Sequence, residues 1–489
     1  MGQTYLANLS HYIPELLACL TMFGLIMVEA TYKEEVKERS FFFLTSYLGL
    51  VSVFVFSVFS LGKSPISIFT NSLIIDPFSS AMKLIMVLGT LGAVFLTSTS
   101  KDIEGNLKPE FTIMAIGVLI GGMLLSSANN MLVMFIGIET LSILSYVLAS
   151  LRKRDERSSE AGLKYSLYGG ISSGIMLFGL SHIFGILGSI NFTEMGLALK
   201  SASADQIIIL LPSFLLFFVG IGYKIACFPF HMWTPDVYEG SPLPVTAFFS
   251  VVPKVAGLAA LIRISNTFFS DSSSVLSIGW IGILTIVAAL TMTVGNVSAI
   301  GQRSVKRMLA YSSISHAGVM LCGILVMSEV GIRSVVFYSV AYLFMTLAAF
   351  YIVGAVSDKY GNDHFERFNG LIFRYPLMAI ALCIVMFSLA GIPPLSGFVA
   401  KFHIFTALLA KKYYVLALVA GINSVISLYY YLKLVRLMIL KNNESDVPIS
   451  GFNWVNQTAV FIMTIPVVVL GIFWEKIMVV ANNAKVFIQ

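Results

Sequence analysis

Lys224 and Lys254 bound the stretch GIGYKIACFPFHMWTPDVYEGSPLPVTAFFSVVPK (220–254), where each amine lies in otherwise apolar sequence. Pro229, Pro235, Pro242, Pro244 and Pro253 crowd the same stretch. Proline removes a backbone donor and clashes with the preceding turn, so a continuous helix is excluded and the region must break or kink. Lys401 follows a second breaker, Gly391-Ile-Pro-Pro-Leu-Ser-Gly397, and Glu139 sits near the middle of another apolar run. A charged side chain at the centre of a bilayer costs about 2.5–3.5 kcal/mol on insertion scales. Deep lysines with a deep carboxylate point to proton transfer. Burial disfavours a charged amine and a carboxylate within about 4–6 Å favours it, so a Glu139–Lys224 pair can hold a proton when closed and release it toward Lys254 when it opens. Moving a charge across the membrane potential costs about 2.3 kcal/mol per 100 mV. A swing of roughly two to three pKa units is worth about 2.7–4.1 kcal/mol, so the switch is strong enough for the task.

Such residues need a membrane scaffold, and the composition supplies one. Hydrophobic residues make up 57% of the 489-residue chain and charged residues 11%, with a mean hydropathy of +0.88; a soluble domain carries about 25% charged residues. The net charge of +6 comes from loop lysines and arginines and does not argue for nucleic acid. Cys19, Cys227, Cys322 and Cys383 each stand alone in apolar sequence, as small buried hydrophobes do. No zinc motif, no glycine loop for a nucleotide after a strand and no nucleophile elbow is found.

The segment His11–Ala30 has no basic region before it and is expected as a retained first helix rather than a cleaved leader. Further runs near 41–61, 78–99, 111–127, 129–150, 161–188, 206–231, 243–265, 275–297, 308–328, 331–356, 376–409, 413–438 and 457–480 bring the total to fourteen, each near the ~20 residues that a transmembrane helix needs. With the N-terminus outside, the inner loops hold eighteen basic residues, from Lys33, Lys37 and Arg39 to Lys433, Arg436 and Lys441, while Lys63, Lys200, Lys411, Lys412 and Lys485 lie outside. This positive-inside bias places both termini on the outer side. The fold class is an all-α polytopic membrane protein with about fourteen transmembrane helices. Its expected division is a three-helix segment (1–110), a five-helix repeat (111–265), a second, inverted five-helix repeat (275–438) and a C-terminal helix (439–489). In each repeat the fourth span is the broken one and carries a lysine, Lys224 or Lys401; inverted repeats with discontinuous helices are common in ion-coupled transporters.

The remaining ionisable residues are given structural roles or held as candidates. Arg263, Arg333 and Lys476 lie near span ends and are expected to snorkel, as is Lys83 a little over one turn inside its span. Lys164, at the start of a span, and Lys306 are further candidates for the path. Glu15 and Asp76 lie near ends, His231 falls in an inner connection, and His403 is about 200° round its helix from Lys401. The 358–375 segment is expected as an amphipathic inner connector.

The block Phe228-Pro-Phe-His-Met-Trp-Thr-Pro-Asp-Val-Tyr-Glu-Gly-Ser-Pro-Leu-Pro-Val-Thr-Ala-Phe248, followed by Pro253-Lys254, closely resembles the subunit N family of proton-pumping NADH:quinone oxidoreductase (complex I), one branch of the antiporter-like subunits. Lys306-Arg-Met-Leu-Ala-Tyr-Ser-Ser-Ile-Ser-His316 is similar to that family's tenth-helix block. The sibling L and M branches depart after the His-x-Trp-x-Pro-Asp core, and M usually has glutamate where Lys401 stands. The resemblance implies a proton path through Glu139, Lys224, Lys254, His316 and Lys401, with no cofactor in this chain. It implies NAD, FMN, iron–sulfur clusters and quinone in partner subunits, other membrane-arm subunits and the lipid bilayer as neighbours, and a bacterial inner membrane with periplasmic termini. An Mrp-type cation/proton antiporter subunit is the alternative of a different class, since it shares the buried ions but not the Val-Tyr-Glu-Gly block. A passive scaffold is a third, disfavoured because it has no use for such costly buried charges.

Overall fold

A backbone crossing a bilayer must satisfy its own hydrogen bonds, so long apolar runs become helices. The computed structural model, which describes residues 8–31, 36–269, 274–441, 454–476 and 478, is built almost wholly from them. Helices α1 (Ile13–Thr31) and α2 (Val36–Ser60) are followed by an antiparallel hairpin, β1 (Ile66–Ile68) with β2 (Leu73–Ile75), and by α3 (Pro77–Thr99). Then come α4 (Lys108–Ser127), α5 (Met131–Ala149), α6 (Glu156–Leu187), the short α7 (Phe192–Lys200), α8 (Ala204–Ile225), α9 (Trp233–Gly240) and α10 (Leu243–Phe268). The chain continues with α11 (Val275–Ile300), α12 (Val305–Leu325), α13 (Glu329–Tyr360), the one-turn α14 (Leu371–Arg374), α15 (Pro376–Ala390), α16 (Ser396–Ala410), α17 (Tyr414–Leu440) and α18 (Trp454–Ile472). Among the described residues twelve helices are long and apolar enough to cross a bilayer; the α15–α16 pair and the apolar part of α18 add two shorter crossings. The expected fourteen spans are thereby met.

Polar side chains fix the helix starts. Asp76 and Ser79 form a reciprocal capping box on α3, Ser203 and Gln206 another on α8, and Asn130 accepts from Leu132 and Val133 at the start of α5, each satisfying backbone donors that the first turn leaves open. Two long helices are interrupted. The first break covers 226–232, between α8 and α9, with Ala226 left-handed at φ 60°. The second begins at Gly391, φ 91°, between α15 and α16. The first break lies further along than the 206–231 span implied. Pro235 falls in the first turn of α9, where its missing N–H has no helical partner to lose, so the half-helix resumes inside the stretch assigned from sequence to an inner connection. His231 is accordingly in the break, buried, with its ring stacked on Phe228 at 5.7 Å.

Helix α10 is the centre of the packing. Its most apolar stretch is 100% buried, against 22% for α1 and 28% for α2, and it packs on α3, α4, α8, α12 and α13. A helix apolar on every face belongs in such a position. Close crossings bring the neighbours together: a Cβ on Gly295 of α11 would lie 2.7 Å from the Ser315 backbone nitrogen of α12.

Two residues expected to snorkel do not. Lys83 Nζ pairs with Glu15 at 2.5 Å, joining α3 to α1. Arg263 pairs with Asp76 at 2.8 Å and donates to the Ser126 carbonyl at 2.6 Å, joining α10 to the start of α3 and the end of α4. All four charged side chains are buried. A position near the end of its own helix is not near water when neighbouring helices close over it, and distance along one helix carries no record of that.

The loops expected on one side meet one another. Asp102 pairs with Arg152 at 2.8 Å and accepts from the Leu243 amide at 2.6 Å, and the Lys101 amide donates to Asp358. In the 358–375 connector the Val305 amide donates to the Asp363 carbonyl at 3.0 Å. At the opposite end Asn129 and Asn191 both donate to the Asn71 carbonyl at 2.9 Å, pinning the hairpin loop. Lys33 and Lys485, the side chains of Lys37 and Arg39, and both chain termini (1–7 and 479–489), on which part of the sidedness argument rests, lie outside the described residues.

Removing the cation from the Arg263–Asp76 pair leaves a buried carboxylate without its guanidinium, a loss of about 3–5 kcal/mol. Arg263→Met should therefore lower subunit abundance and the thermal midpoint in detergent. Arg263→Met with Asp76→Asn, which keeps the helix cap, should recover most of the loss.

Candidate functional site

The helix breaks set where the buried amines lie. Lys224 is in the last turn of α8, immediately before the first break. Its Nζ has no hydrogen-bond partner among the described residues. It lies instead over three tyrosine rings: Tyr146 of α5 at 5.2 Å, Tyr165 of α6 at 5.0 Å and its own neighbour Tyr223 at 5.1 Å. Glu139 is on α5, half-buried, with Oε1 buried and unpartnered. The expected close contact between Glu139 and Lys224 is not formed here, although the carboxylate acts electrostatically on the amine.

An aromatic row leads away from the Lys224 cluster. Tyr165 stacks on Trp233 of α9 at 4.4 Å, and Trp233 meets Tyr238 edge-on at 6.3 Å. The Tyr238 ring lies 5.9 Å from Nζ of Lys254, on α10. Lys254 donates to the hydroxyl of Ser313 at 2.6 Å and to its carbonyl at 3.1 Å. Ser313 precedes His316 by three residues on α12, so the two lie on one helical face. His316 Nδ1 is 2.5 Å from the Tyr338 hydroxyl and Nε2 is 3.1 Å from that of Tyr431, which also bonds Ser312. A neutral imidazole donates through one nitrogen and accepts through the other, so His316 bridges two hydroxyls. His316 and Lys401 line a small polar cavity with Asn296, Ser427 and Tyr430 that has about 10 Å³ for water centres, the room one water requires. Lys401 Nζ donates to the Ala390 carbonyl at 2.9 Å, at the carboxyl end of α15, where the helix dipole favours a cation.

The structure thus brings Lys224, Lys254, His316 and Lys401 into one row of buried groups, with Glu139 beside its first member. The other two candidates fall elsewhere. The Lys164 side chain is 37% exposed and pairs with Glu160 and Asp236, both at 2.7 Å. It rims a cavity of about 240 Å³ shared with Arg157, Glu239 and Arg307. Arg307 joins the same network through Asp236 and Glu239. Lys306 is buried beneath it and donates to the Ser241 carbonyl at 2.5 Å and the Glu239 carbonyl at 3.3 Å, fastening the end of α9. His403 packs among Phe337, Phe402 and Trp474, away from this row. Sequence reasoning did not single out the tyrosines and serines of the row. Tyr146 follows Glu139 by seven residues, two helical turns, and that same-face spacing was the available clue.

A family model described as NADH:quinone oxidoreductase/Mrp antiporter, TM, matches residues 128–427. The chain belongs to this family. Among relatives, NADH-quinone oxidoreductase subunit N 2 of Sorangium cellulosum is 39% identical over 96% of both chains. NADH-quinone oxidoreductase subunit N of Geobacillus kaustophilus is 42% identical over 76% of both. Among solved structures, a chain of respiratory complex I from Thermus thermophilus superposes with a TM-score of 0.80 at 28% identity, covering 96% of this chain and 99% of that one. A chain of the Mrp complex from Dietzia sp. superposes at 0.84 with 20% identity over 97% of this chain and 96% of that one, a likeness of fold. The family region spans Glu139, Lys224, Lys254, His316 and Lys401 alike.

Tyr431 serves both His316 and Ser312, so Tyr431→Phe leaves buried polar groups short of a partner, a loss of about 1–3 kcal/mol. The thermal midpoint in detergent should fall by a few degrees. Adding Ser312→Ala should lower it little further, because the two side chains share one hydroxyl.

Proposed function

We propose that this chain is a proton-translocating subunit of the membrane arm of a bacterial NADH:quinone oxidoreductase, of the N type. The observation that carries the reading is the row of buried groups from Lys224 through Lys254 and His316 to Lys401, in a chain 39% identical over nearly its whole length to a subunit N. The geometry supports the following roles. Glu139 and Lys224 form the switch that loads and releases a proton; Lys254 is the central carrier; His316, between two hydroxyls, relays; Lys401, at a half-helix carboxyl end, is the terminal carrier. The two halves, 111–265 and 275–438, act as inverted units of five spans. Each has a 32-residue third helix, α6 or α13, followed by a broken one, which supports the division.

The chain acts as part of an enzyme complex, a translocase. NAD, FMN, iron–sulfur clusters and quinone belong to partner subunits, and the driving signal reaches this chain through other membrane-arm subunits. The protein sits in the inner membrane with its termini on the periplasmic side, and its substrate is the proton. An Mrp-type antiporter subunit is the second reading, favoured by the close match of fold to the Mrp complex chain and by a family description that covers both. Purification separates them: the first reading expects several membrane and redox subunits to copurify, whereas sodium–proton exchange by the chain reconstituted without redox partners decides for the second.

Two substitutions test the roles. Glu139→Gln should lower proton pumping and coupled quinone reduction together at normal subunit abundance, with Glu139→Asp milder; full pumping in Glu139→Gln removes that residue from the path. Lys254→Arg keeps the charge but cannot give up its proton at accessible pH, so pumping per electron should fall sharply in reconstituted complexes. Normal pumping would make Lys254 a fixed charge instead of a carrier.

A further inference from the structure

Lys224 differs from the other amines of the row in having no oxygen to bond among the described residues. We propose that Tyr146, Tyr165 and Tyr223 form an aromatic cage that is the alternative seat of the Lys224 ammonium, occupied whenever the amine is away from Glu139, and that these three are positioning residues for the proton switch. The inference rests on the proton-path reading above and adds its second position.

Four observations carry it. Nζ lies within 5.0–5.2 Å of all three ring centroids, inside the roughly 6 Å over which a ring face attracts a cation, an attraction that strengthens when the pair is desolvated. The cage is built to keep its shape. Tyr146 and Tyr165 meet edge to face at 5.0 Å, Tyr223 donates its hydroxyl to the Tyr165 carbonyl at 2.6 Å, and the Trp233 indole donates to the Tyr223 carbonyl at 3.0 Å while stacking on Tyr165. Space is reserved for it, since a Cβ on Gly169 of α6 would lie 1.8 Å from the Tyr146 hydroxyl. Finally, Glu139 and Tyr146 are two turns apart on one face of α5, a rise of about 10.5 Å. The long lysine side chain therefore faces a carboxylate at one end of that face and a ring at the other.

The two seats do different work. A carboxylate neutralises the ammonium and can take up its proton. A ring face attracts the charged amine through its quadrupole, offers no lone pair to accept the proton, and holds the charge without neutralising it. Opening the Glu139 contact thus leaves Lys224 with a defined position near the first helix break instead of a scatter of unpaired ones.

The test weakens the ring face while keeping its shape. In the intact complex, residue 165 is replaced by phenylalanine and then by a graded series of fluorinated phenylalanines through suppressor incorporation, with Lys224→Met as the reference. Pumping per electron should survive Tyr165→Phe and then fall stepwise with fluorination, by about three- to tenfold across the series. The same series at Tyr146, which is only partly buried, supplies the measurement if the Tyr165 variants fail to accumulate. A flat series in a complex where Lys224→Met abolishes pumping overturns the cage and leaves the path standing. Loss already complete at Tyr165→Phe assigns the effect to the hydroxyl and also overturns it. Normal pumping in Lys224→Met overturns the path reading itself, and the cage with it.

Discussion

An ammonium that cannot reach water must be given a partner by the protein, and here the kind of partner divides the buried lysines by role. Lys83 has a carboxylate at 2.5 Å. A salt bridge of that kind fixes both charges, and breaking it by removing either side is costly, which suits a clamp between α1 and α3. Lys306 has two backbone carbonyls at the end of α9 and serves as a pin. Lys224, Lys254 and Lys401 have ring faces, a hydroxyl with its carbonyl, and a single carbonyl. These partners hold a positive charge without cancelling it, so the proton on the amine remains available to a neighbour.

At Lys401 an interrupted helix is what makes the partner available. A continuous helix consumes its carbonyls internally, whereas a break inside the apolar layer frees the last ones of the first half. At the second break the freed carbonyl of Ala390 takes Lys401, whose own helix starts five residues earlier, at Ser396. At the first break Lys224 occupies the last turn of α8, and α9 brings Trp233 and Tyr238 alongside. The two lysines stand on opposite sides of their prolines in the sequence, yet both lie by the carboxyl end of a first half-helix. Helix α10, buried along its whole apolar stretch, supplies Lys254 between the two breaks.

Much of this was legible in the sequence where one residue type in one context has few physical solutions. A lysine at mid-span beside prolines has to be given a partner by the protein: Lys224 and Lys401 lie against helix ends, and Lys254 is held by Ser313 of α12. The fourteen spans and the two breaks follow from apolar run length and proline chemistry. What could not be read was lateral. Arg263 and Lys83 lie near the ends of their helices, which along one dimension means water, but α3, α4 and α10 pack together there and Glu15 of α1 meets Lys83, so both side chains are buried. The tyrosines were missed for the same reason. Tyr146, Tyr165 and Tyr223 come from three helices, and nothing in a single strip of sequence marks rings that converge only when those helices meet. Lys164 is the opposite case, a start-of-span lysine with two carboxylates within reach, one of them, that of Asp236, brought there only by the fold.

The same arrangement bears on which cation travels. A metal ion moving between Lys224 and Lys401 would pass beside a succession of amines, and like charges in a poorly hydrated interior repel strongly. It would also need several oxygens at once, since hard cations take about six ligands, while Lys254 and Lys401 already occupy carbonyl and hydroxyl oxygens along the row. A proton faces neither obstacle. An amine can carry it directly, and an amine that has given up its proton is neutral and no longer repels the next. Lys254 and Lys401 both act electrostatically on His316, so a proton lodged on either one changes the field at the relay between them. A row of ammonium groups joined by hydroxyls and an imidazole therefore discriminates for the proton by its charge alone, before any question of size arises.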